Sequence, residues 1–112
     1  MDRKHMMDTF RRAHEHKGAA FVEVFQNCNV FNDGAWEGIT KKQNRDANLI
    51  QLNHGEPIKF GAESELGVVI DDGSAKIVSV ADVAESSLLV HDENKEDPST
   101  AFMLSRLARG PF

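Results

Sequence analysis

The sequence has very little cysteine: Cys28 is the only one among 112 residues. The chain can therefore form no internal disulfide bond, and it cannot build a zinc site from thiolates. It also lacks any run close to the roughly 18 apolar residues of a membrane span, and its first residues, M-D-R-K-H-M-M-D, contain no apolar signal core. Reducing compartments favour such sparse cysteine use, so we predict a soluble cytoplasmic chain with no membrane contact.

Clustered basic residues are also missing from most of the chain. Residues 1–45 carry eight Lys or Arg against six Asp or Glu, whereas residues 46–112 carry five against twelve, which gives the net charge of −5. Nucleic-acid surfaces need clustered Lys and Arg, so we exclude a nucleic-acid partner. The acidic half is either a solvated face or a surface that selects a charged partner.

The sequence lacks the spacing of a calcium loop or a phosphate-binding loop. The acids near glycines at 53–56 and 71–73 therefore read as turns. His14 and His16 lie two residues apart, which places them on different sides of a helix and argues against a shared metal ion. His54 and His91 are isolated and are predicted to have surface or turn roles.

Apolar spacing predicts an amphipathic helix over residues 3–17, with Met6, Phe10 and Ala13 on its apolar side. Gly18 is suited to end it. The nearly continuous apolar run at 19–25 then predicts a strand buried on both faces, as in a parallel sheet. A helix, a glycine and a buried strand form the closing half of a β-α-β unit. The chain supplies no neighbouring strands upstream, so we expect it to begin inside a domain.

A turn at 32–34 and a polar stretch at 40–46 mark a candidate boundary, which divides the chain into residues 1–38 and 39–112. The second part predicts strands at 49–52, 57–60, 67–71 and 75–80, with a hairpin turn at 71–74 and another turn at 55–57. A charged loop at 92–97 precedes a helix expected from Pro98 to about Arg109, stopped by Gly110 and Pro111. The fold class is therefore α/β or α+β: a helix–strand remnant followed by a small β-rich tail with a C-terminal helix.

The position of Cys28 is the most informative feature of the sequence. A lone cysteine beside a buried strand is most often a small hydrophobic core residue. A nucleophilic thiol would need a histidine beside it, and His14 or His54 could supply one after folding. However, Cys28 lies just past the predicted strand, where open α/β sheets place their functional groups. Asparagines and Asp33 surround it and favour a polar turn.

The stretch H-K-G-A-A-F-V-E-V-F-Q-N-C-N-V-F-N-D-G-A at 16–35 resembles the end of the thiamine-diphosphate domain in the β subunit of 2-oxoacid:ferredoxin oxidoreductases. The motif Q-N-C-x-x-F-N-D-G is more similar to the 2-oxoglutarate branch of this family than to its pyruvate branch. The segments L-N-H-G-E-P-I-K-F-G at 52–61 and H-D-E-N at 91–94 resemble the C-terminal tail of the same subunit. The resemblance thus covers nearly the whole chain and identifies it as a C-terminal fragment.

This resemblance implies an enzyme that decarboxylates a 2-oxoacid on thiamine diphosphate and Mg²⁺, forms an acyl-coenzyme A and passes electrons to ferredoxin. It implies that Cys28 is the fourth ligand of a 4Fe–4S cluster whose other three cysteines lie upstream in the subunit. The G-D-G motif that holds magnesium and the diphosphate does not occur in this sequence. We therefore assign no catalytic residue and no other cofactor-binding residue, and expect the isolated chain to hold no cofactor.

The expected partners are the α subunit of the same enzyme and ferredoxin. Because the run at 19–25 would lack neighbouring strands, we also expect the isolated chain to be inactive and to self-associate as a dimer. Two alternatives remain open from the residues alone. One is a free-standing module that docks on a partner subunit without catalysis, and the other is a small thiol enzyme that uses Cys28.

Overall fold

A computed structural model describes residues 3–107, except for the side chains of residues 42 and 43. The helices are α1 (Arg3–Glu15), α2 (Glu37–Thr40), α3 (Lys42–Asn48) and α4 (Ser99–Ser105), and the strands are β1 (Lys59–Phe60), β2 (Leu66–Asp71) and β3 (Ser74–Ser79). Short 3-10 turns occupy Val80–Asp82 and Glu85–Ser87. The strands form an antiparallel sheet in the order β1-β2-β3. Helices beside a small antiparallel sheet confirm a mixed architecture, in its α+β form.

The β2–β3 hairpin forms where the sequence predicted it. Asp71 pairs with Ser74 across a two-residue turn. Asp72 and Gly73 occupy that turn with φ values of 48° and 69°. Positive φ at both central residues is the turn geometry that matches the right-handed twist of paired strands. The D-G dipeptide supplies it, because glycine accepts positive φ without cost and aspartate tolerates it.

A backbone hydrogen-bond triangle closes the core of the tail. Val68 N–H donates to the carbonyl of Ile58 over 3.2 Å, Ile58 N–H donates to that of Leu89 over 2.8 Å, and Leu89 N–H donates to that of Val68 over 2.7 Å. Ile58 and Val68 are almost completely buried, together with Phe60 and Leu88. Side chains from α4 and from residue 50 pack against this cluster. Residues 88–91, which we call the strap, therefore hydrogen-bond to residues 58 and 68 and pack against the core of the tail.

Close packing of the strap also explains Gly67, which is buried in β2. A Cβ added there would lie 2.6 Å from the Leu88 side chain and 3.3 Å from that of Val80. The first of these distances is shorter than any ordinary carbon–carbon contact. A larger residue at 67 would therefore force the buried Leu88 side chain to shift.

The sequence predictions for helices are only partly confirmed. The N-terminal helix ends at Glu15 rather than at residue 17, and the last helix begins at Ser99 and ends at Ser105. Arg109, Gly110 and Pro111, which were expected to end that last helix, lie outside the described residues. The polar stretch at 40–46 contains the last residue of α2 and most of α3, so the proposed boundary region is mostly helical. Asn48 Nδ2 joins these two helices by donating to the carbonyl of Gly38 over 3.1 Å.

Two predicted strands are absent. Residues 49–52 have no regular structure, and residues 19–25 form no strand. The prediction of a buried strand at 19–25 is wrong for this chain, because no neighbouring strand pairs with it within residues 3–107. Phe21 is 90% exposed and Val24 66% exposed. A thiamine-domain origin for residues 1–38 thus remains a prediction.

Helix α1 likewise has no buried residue. On the apolar side predicted from its spacing, Phe10 is 45% exposed, whereas Met6 and Ala13 are half-buried. Arg12 forms an ion pair with Glu93 of the charged loop, which brings α1 against the tail. Within residues 3–107 no helix is both long and apolar enough to cross a membrane.

Candidate functional site

Cys28 lies half-buried in a tight loop that spans residues 27–34. The loop closes on itself, since Asn32 N–H donates to the carbonyl of Cys28 over 3.0 Å and the two residues form an isolated antiparallel bridge. Gly34 ends it with a φ of 75°, a left-handed value that favours glycine. The predicted turn at 32–34 is therefore confirmed. The polar residues around Cys28 make a turn that folds the backbone around the thiol.

Peptide groups of this loop act directly on the cysteine sulfur. The backbone N–H groups of Phe31 and Val30 hydrogen-bond to it and lower the pKa of Cys28 from its usual value. Partial burial opposes this effect, and the N–H of Asn32 adds to it. Hydrogen bonds to the charged form favour that form, so the loop stabilises a thiolate. A thiolate is the form that binds metals and attacks electrophiles.

The side chain of Asn27 fastens the loop from the outside. Its Nδ2 donates to Asn29 Oδ1 over 2.7 Å and to Asp33 Oδ1 over 2.9 Å. Its Oδ1 accepts the backbone N–H of Gly34 over 3.0 Å. One amide thus joins the first residue of the loop to its middle and its end.

Aromatic stacking fixes the two flanks of the loop. The rings of Phe25 and Trp36 lie 4.3 Å apart between centroids, at an interplanar angle of 28°. Residue 25 enters the loop, and residue 36 begins the turn into α2. Stacked aromatic pairs contribute roughly 0.5–1.5 kcal/mol beyond their buried area. The contact therefore holds the entrance and exit of the loop together.

Apolar side chains next to the thiol are nevertheless open to solvent. Val30 is 81% exposed and Phe31 is 91% exposed, although hydrogen bonding by their backbone N–H groups lowers the pKa of Cys28. Exposed apolar patches of this kind mark surfaces that contact other protein. The side of the loop that carries these residues is thus an exposed apolar surface.

His54 and His91 have other roles. His54 Nδ1 accepts the backbone N–H of Glu93 over 3.2 Å and lies 3.5 Å from Asp92 Oδ1. The backbone of His91 pairs with Gly55 and Glu56. These are the turn roles predicted from the sequence. The groups that lower the pKa of Cys28 are peptide N–H groups, with no histidine among them, so the geometry gives the thiol-enzyme hypothesis no support.

Metal-ligating side chains do not gather elsewhere in the described chain. Across residues 3–107, no three His, Cys, Asp or Glu side chains come close enough to hold an ion. At the metal-like sequence of residues 14–16, Glu15 instead pairs with Arg11 at 3.2 Å. Cys28 is thus a single donor in the part of the molecule that is described.

A second surface feature lies between residues 50–52 and α4. This feature is a groove. Its apolar wall is formed by Ile50, Leu52, Ala101, Leu104 and Leu107. Its rim is mostly acidic and is formed by Asp92, Glu93, Lys95 and Asp97. Asp97 also holds the start of α4, because its carboxylate accepts both the N–H and the hydroxyl of Ser99, which lowers the pKa of Asp97. From the sequence, the charged loop and the last helix were predicted here, but the groove beside them was not.

A comparison with known proteins finds one that is similar in sequence to this chain. The chain is 41% identical over 107 residues to the 2-oxoglutarate oxidoreductase subunit KorB of Mycobacterium tuberculosis. The aligned part covers 96% of this chain and 28% of the length of that protein. No protein-family model matches the chain, and no solved structure matches it. The resemblance read from the sequence is thus confirmed: along nearly its whole length, the chain is similar to part of a 2-oxoglutarate oxidoreductase subunit.

Proposed function

We propose that this chain is the C-terminal part of the β subunit of a 2-oxoglutarate:ferredoxin oxidoreductase, in which Cys28 is the fourth ligand of a 4Fe–4S cluster. The observation that carries the proposal is the 41% identity to KorB over 96% of the chain. The alignment spans 28% of that protein, which is consistent with a fragment. The whole enzyme would convert 2-oxoglutarate and coenzyme A to an acyl-coenzyme A, with thiamine diphosphate and Mg²⁺ bound outside this chain.

The loop around Cys28 suits one corner of such a cluster. Iron–sulfur clusters are held by cysteine thiolates, and hydrogen bonds to the sulfurs adjust their reduction potentials. Cys28 offers a sulfur that already receives peptide N–H groups. Its three partner ligands would come from upstream sequence, since residues 3–107 supply no second thiol. When bound, the cluster would supply one-electron transfer, and the chain's part is to hold one sulfur and partly neutralise its charge.

The exposed residues on both sides of the loop support a place inside a larger subunit. Phe21 and Phe31 are each about nine-tenths exposed, and α1 has no fully buried residue. A single chain with so much open apolar surface has a strong driving force for association. In the proposed subunit, residues 19–25 would join a sheet built by the preceding part of the domain, as the sequence pattern predicts.

The tail has features of a subunit contact, which favours a second role beside that of Cys28. Its groove combines an apolar wall from α4 with carboxylates of Asp92, Glu93 and Asp97 on the rim. One of these carboxylates already holds the guanidinium of Arg12. Apolar contact with a charged rim is the usual anatomy of a protein interface. We propose that residues 39–112 dock on the α subunit of the same enzyme.

Catalysis by the full-length subunit with its α subunit tests the proposed function. We expect reduction of ferredoxin that depends on both 2-oxoglutarate and coenzyme A, and loss of that reduction when either substrate is omitted. The 112-residue chain with the same α subunit is the control, and it should show no turnover. Reduction that proceeds equally with pyruvate, or without coenzyme A, would contradict the assignment to 2-oxoglutarate chemistry.

Self-association of the isolated chain gives a separate prediction. Because residues 19–25 expose apolar side chains without a strand partner, we expect a dimer in sedimentation velocity at tens of micromolar. The Phe21→Ser variant should shift the population to monomer, because it removes the most exposed aromatic ring of that segment. Phe102→Ser is the matched control, since Phe102 is 63% exposed on α4. A wild-type chain that sediments only as a monomer would contradict the expectation.

A further inference from the structure

The imidazole of His54 joins two separate segments of the tail. His54 lies in the turn at 53–56, and its Nδ1 accepts the backbone N–H of Glu93 over 3.2 Å. The carboxylate of Asp92 lies beside the ring, with Oδ1 3.5 Å from the same nitrogen. Backbone hydrogen bonds between His91 and the turn hold the two segments next to each other. A single ring atom of His54 therefore faces both a hydrogen-bond donor and a carboxylate.

These two contacts require different protonation states of the ring. A nitrogen that accepts a hydrogen bond needs a free lone pair, so the bond from Glu93 belongs to the neutral imidazole. In the imidazolium both ring nitrogens carry a proton, and neither can accept. Protonation therefore breaks the bond to Glu93, sets two N–H groups against each other, and makes Nδ1 a donor to the carboxylate of Asp92. Histidine is the side chain that ordinarily changes charge between about pH 5 and 8, so acidification over that range tests the exchange.

Charged groups approach His54 from its own turn and from the loop after the strap. Glu56 of the turn directs its carboxylate to the amide of a neighbouring asparagine over 2.9 Å. Glu93 directs its carboxylate to a guanidinium of α1. The half-buried His91 adds a second imidazole on these segments. Of the three carboxylates, that of Asp92 lies within ion-pairing distance of the ring, so Asp92 is the partner for the protonated form.

The peptide group between Asp92 and Glu93 connects this exchange to α1. Its N–H donates to His54, and its carbonyl accepts the N–H of Lys95 over 3.4 Å. The ammonium of Lys95 is directed away, to a hydroxyl at the start of α4 over 2.9 Å. The side chain of Glu93 holds Arg12 of α1 in an ion pair. A peptide group that turns away from an imidazolium carries the Glu93 side chain with it, and an exposed ion pair is weak enough to be lost when one partner moves.

We propose that His54 is a pH-sensitive switch that controls the contact between α1 and the tail. In the neutral state the ring holds the peptide N–H of Glu93, and the Glu93 carboxylate holds Arg12. In the protonated state the ring pairs with Asp92, the ion pair with Arg12 is lost, and α1 is released from the tail. This inference uses neither Cys28 nor the enzyme assignment, so its failure would leave the proposed function untouched.

The test is a nuclear magnetic resonance titration of the 112-residue chain from about pH 8 to about pH 5. We expect the amide proton of Glu93 to move upfield as the His54 ring gains its proton, because the amide loses its acceptor. Its exchange with water, corrected for the intrinsic effect of pH, should rise about fivefold, the ratio that corresponds to loss of an ordinary hydrogen bond. The heteronuclear Overhauser effect of the α1 amides should fall over the same range, because the released helix gains fast motion. A Glu93 amide that stays unchanged while the His54 ring titrates overturns the proposal.

His54→Asn and His91→Asn form a matched pair of variants. An asparagine side chain at position 54 places an amide oxygen close to the place of Nδ1, and this oxygen accepts the Glu93 N–H at every pH. Both pH-dependent changes should therefore disappear in His54→Asn. His91 contacts the turn through its backbone, so both changes should persist in His91→Asn, which also excludes the second imidazole as their source. Persistence of both changes in His54→Asn contradicts the switch.

Glu93→Gln separates the two steps of the switch. It removes the charge that holds Arg12 but keeps the backbone N–H that His54 accepts. The amide of residue 93 should still respond to pH, while the Overhauser effect of α1 should be low at every pH. This variant also keeps the proposal testable if His54→Asn alters the fold, which the amide signals of the β2–β3 hairpin would reveal. If the Overhauser effect of α1 in Glu93→Gln still falls with pH as in the wild type, the change arises from the histidines of α1 itself, and the proposal is overturned.

Discussion

Replacing Cys28 with serine in the full-length subunit should remove or severely damage the iron–sulfur cluster. Serine keeps the size of the side chain but offers an alcohol oxygen in place of a thiolate. The loop that supports Cys28 stabilises a charged sulfur through peptide N–H groups, and an alcohol at the same place stays neutral near pH 7. Because changes to groups that merely support a metal ligand cost about 10–100-fold, loss of the ligand itself should cost at least as much in electron transfer.

The measurements are iron content, visible absorbance and 2-oxoglutarate-dependent reduction of ferredoxin after cluster reconstitution. Ala35→Ser provides a control, since it places a hydroxyl at an exposed position next to the loop and should leave all three unchanged. Retention of cluster and electron transfer in Cys28→Ser would make the cysteine a half-buried packing residue. The opening alternative from the sequence, a small hydrophobe without chemistry, would then be correct.

Truncating Ile58 should strongly destabilise the tail. Ile58 is 2% exposed, and its backbone takes part in the triangle with Val68 and Leu89. Replacing a buried isoleucine with alanine costs about 2–5 kcal/mol through lost apolar contact and the cavity that remains. Small domains have a free energy of unfolding of roughly 5–15 kcal/mol, so Ile58→Ala should remove a large fraction of it. In urea denaturation followed by circular dichroism, we expect the midpoint to fall by about 1 M or more.

Ile77→Ala is the matched control for this substitution. Ile77 lies in β3 of the same sheet, but 40% of it is exposed, and truncation at such positions changes the free energy of unfolding by about 1 kcal/mol or less. The two variants remove the same atoms from different environments. Equal shifts of the urea midpoint would show that the cluster around Ile58 does not form the core of the tail.

Local sequence signals predicted the parts of the fold that depend on few residues. The D-G dipeptide at 72–73 gave the hairpin because its backbone preference is a property of those two residues. The spacing of Met6, Phe10 and Ala13 predicted α1, because helical periodicity is also a property of a short local stretch. The turn after Cys28 followed from its asparagines and from Gly34. In each case a short stretch carries enough information by itself.

Long-range partners account for what the sequence did not reveal. The run at 19–25 has the composition of a buried strand, yet a strand forms only when a neighbour pairs with it, and residues 3–107 provide none. The strap at 88–91 was not foreseen, because its hydrogen bonds go to residues about 20 and 30 positions earlier. Helix α3 is polar and has almost no apolar periodicity, so the sequence pattern did not predict it. For the site, Cys28 was recognisable from its setting, whereas the three bonds of Asn27 depend on the folded loop.

The strap also has a consequence for the order in which the tail is made. Ile58 and Val68 leave the ribosome well before Leu89, yet Leu89 supplies two of the three hydrogen bonds that close their triangle. The hairpin of β2 and β3 can form early from local pairing, but two-stranded hairpins are only marginally stable alone. The core of the nascent tail therefore cannot exclude water until residue 89 is available to pack against it. A pause after β3 has left the ribosome and before Leu89 has emerged would leave an open apolar sheet face, and in this interval the growing chain is exposed to misassembly.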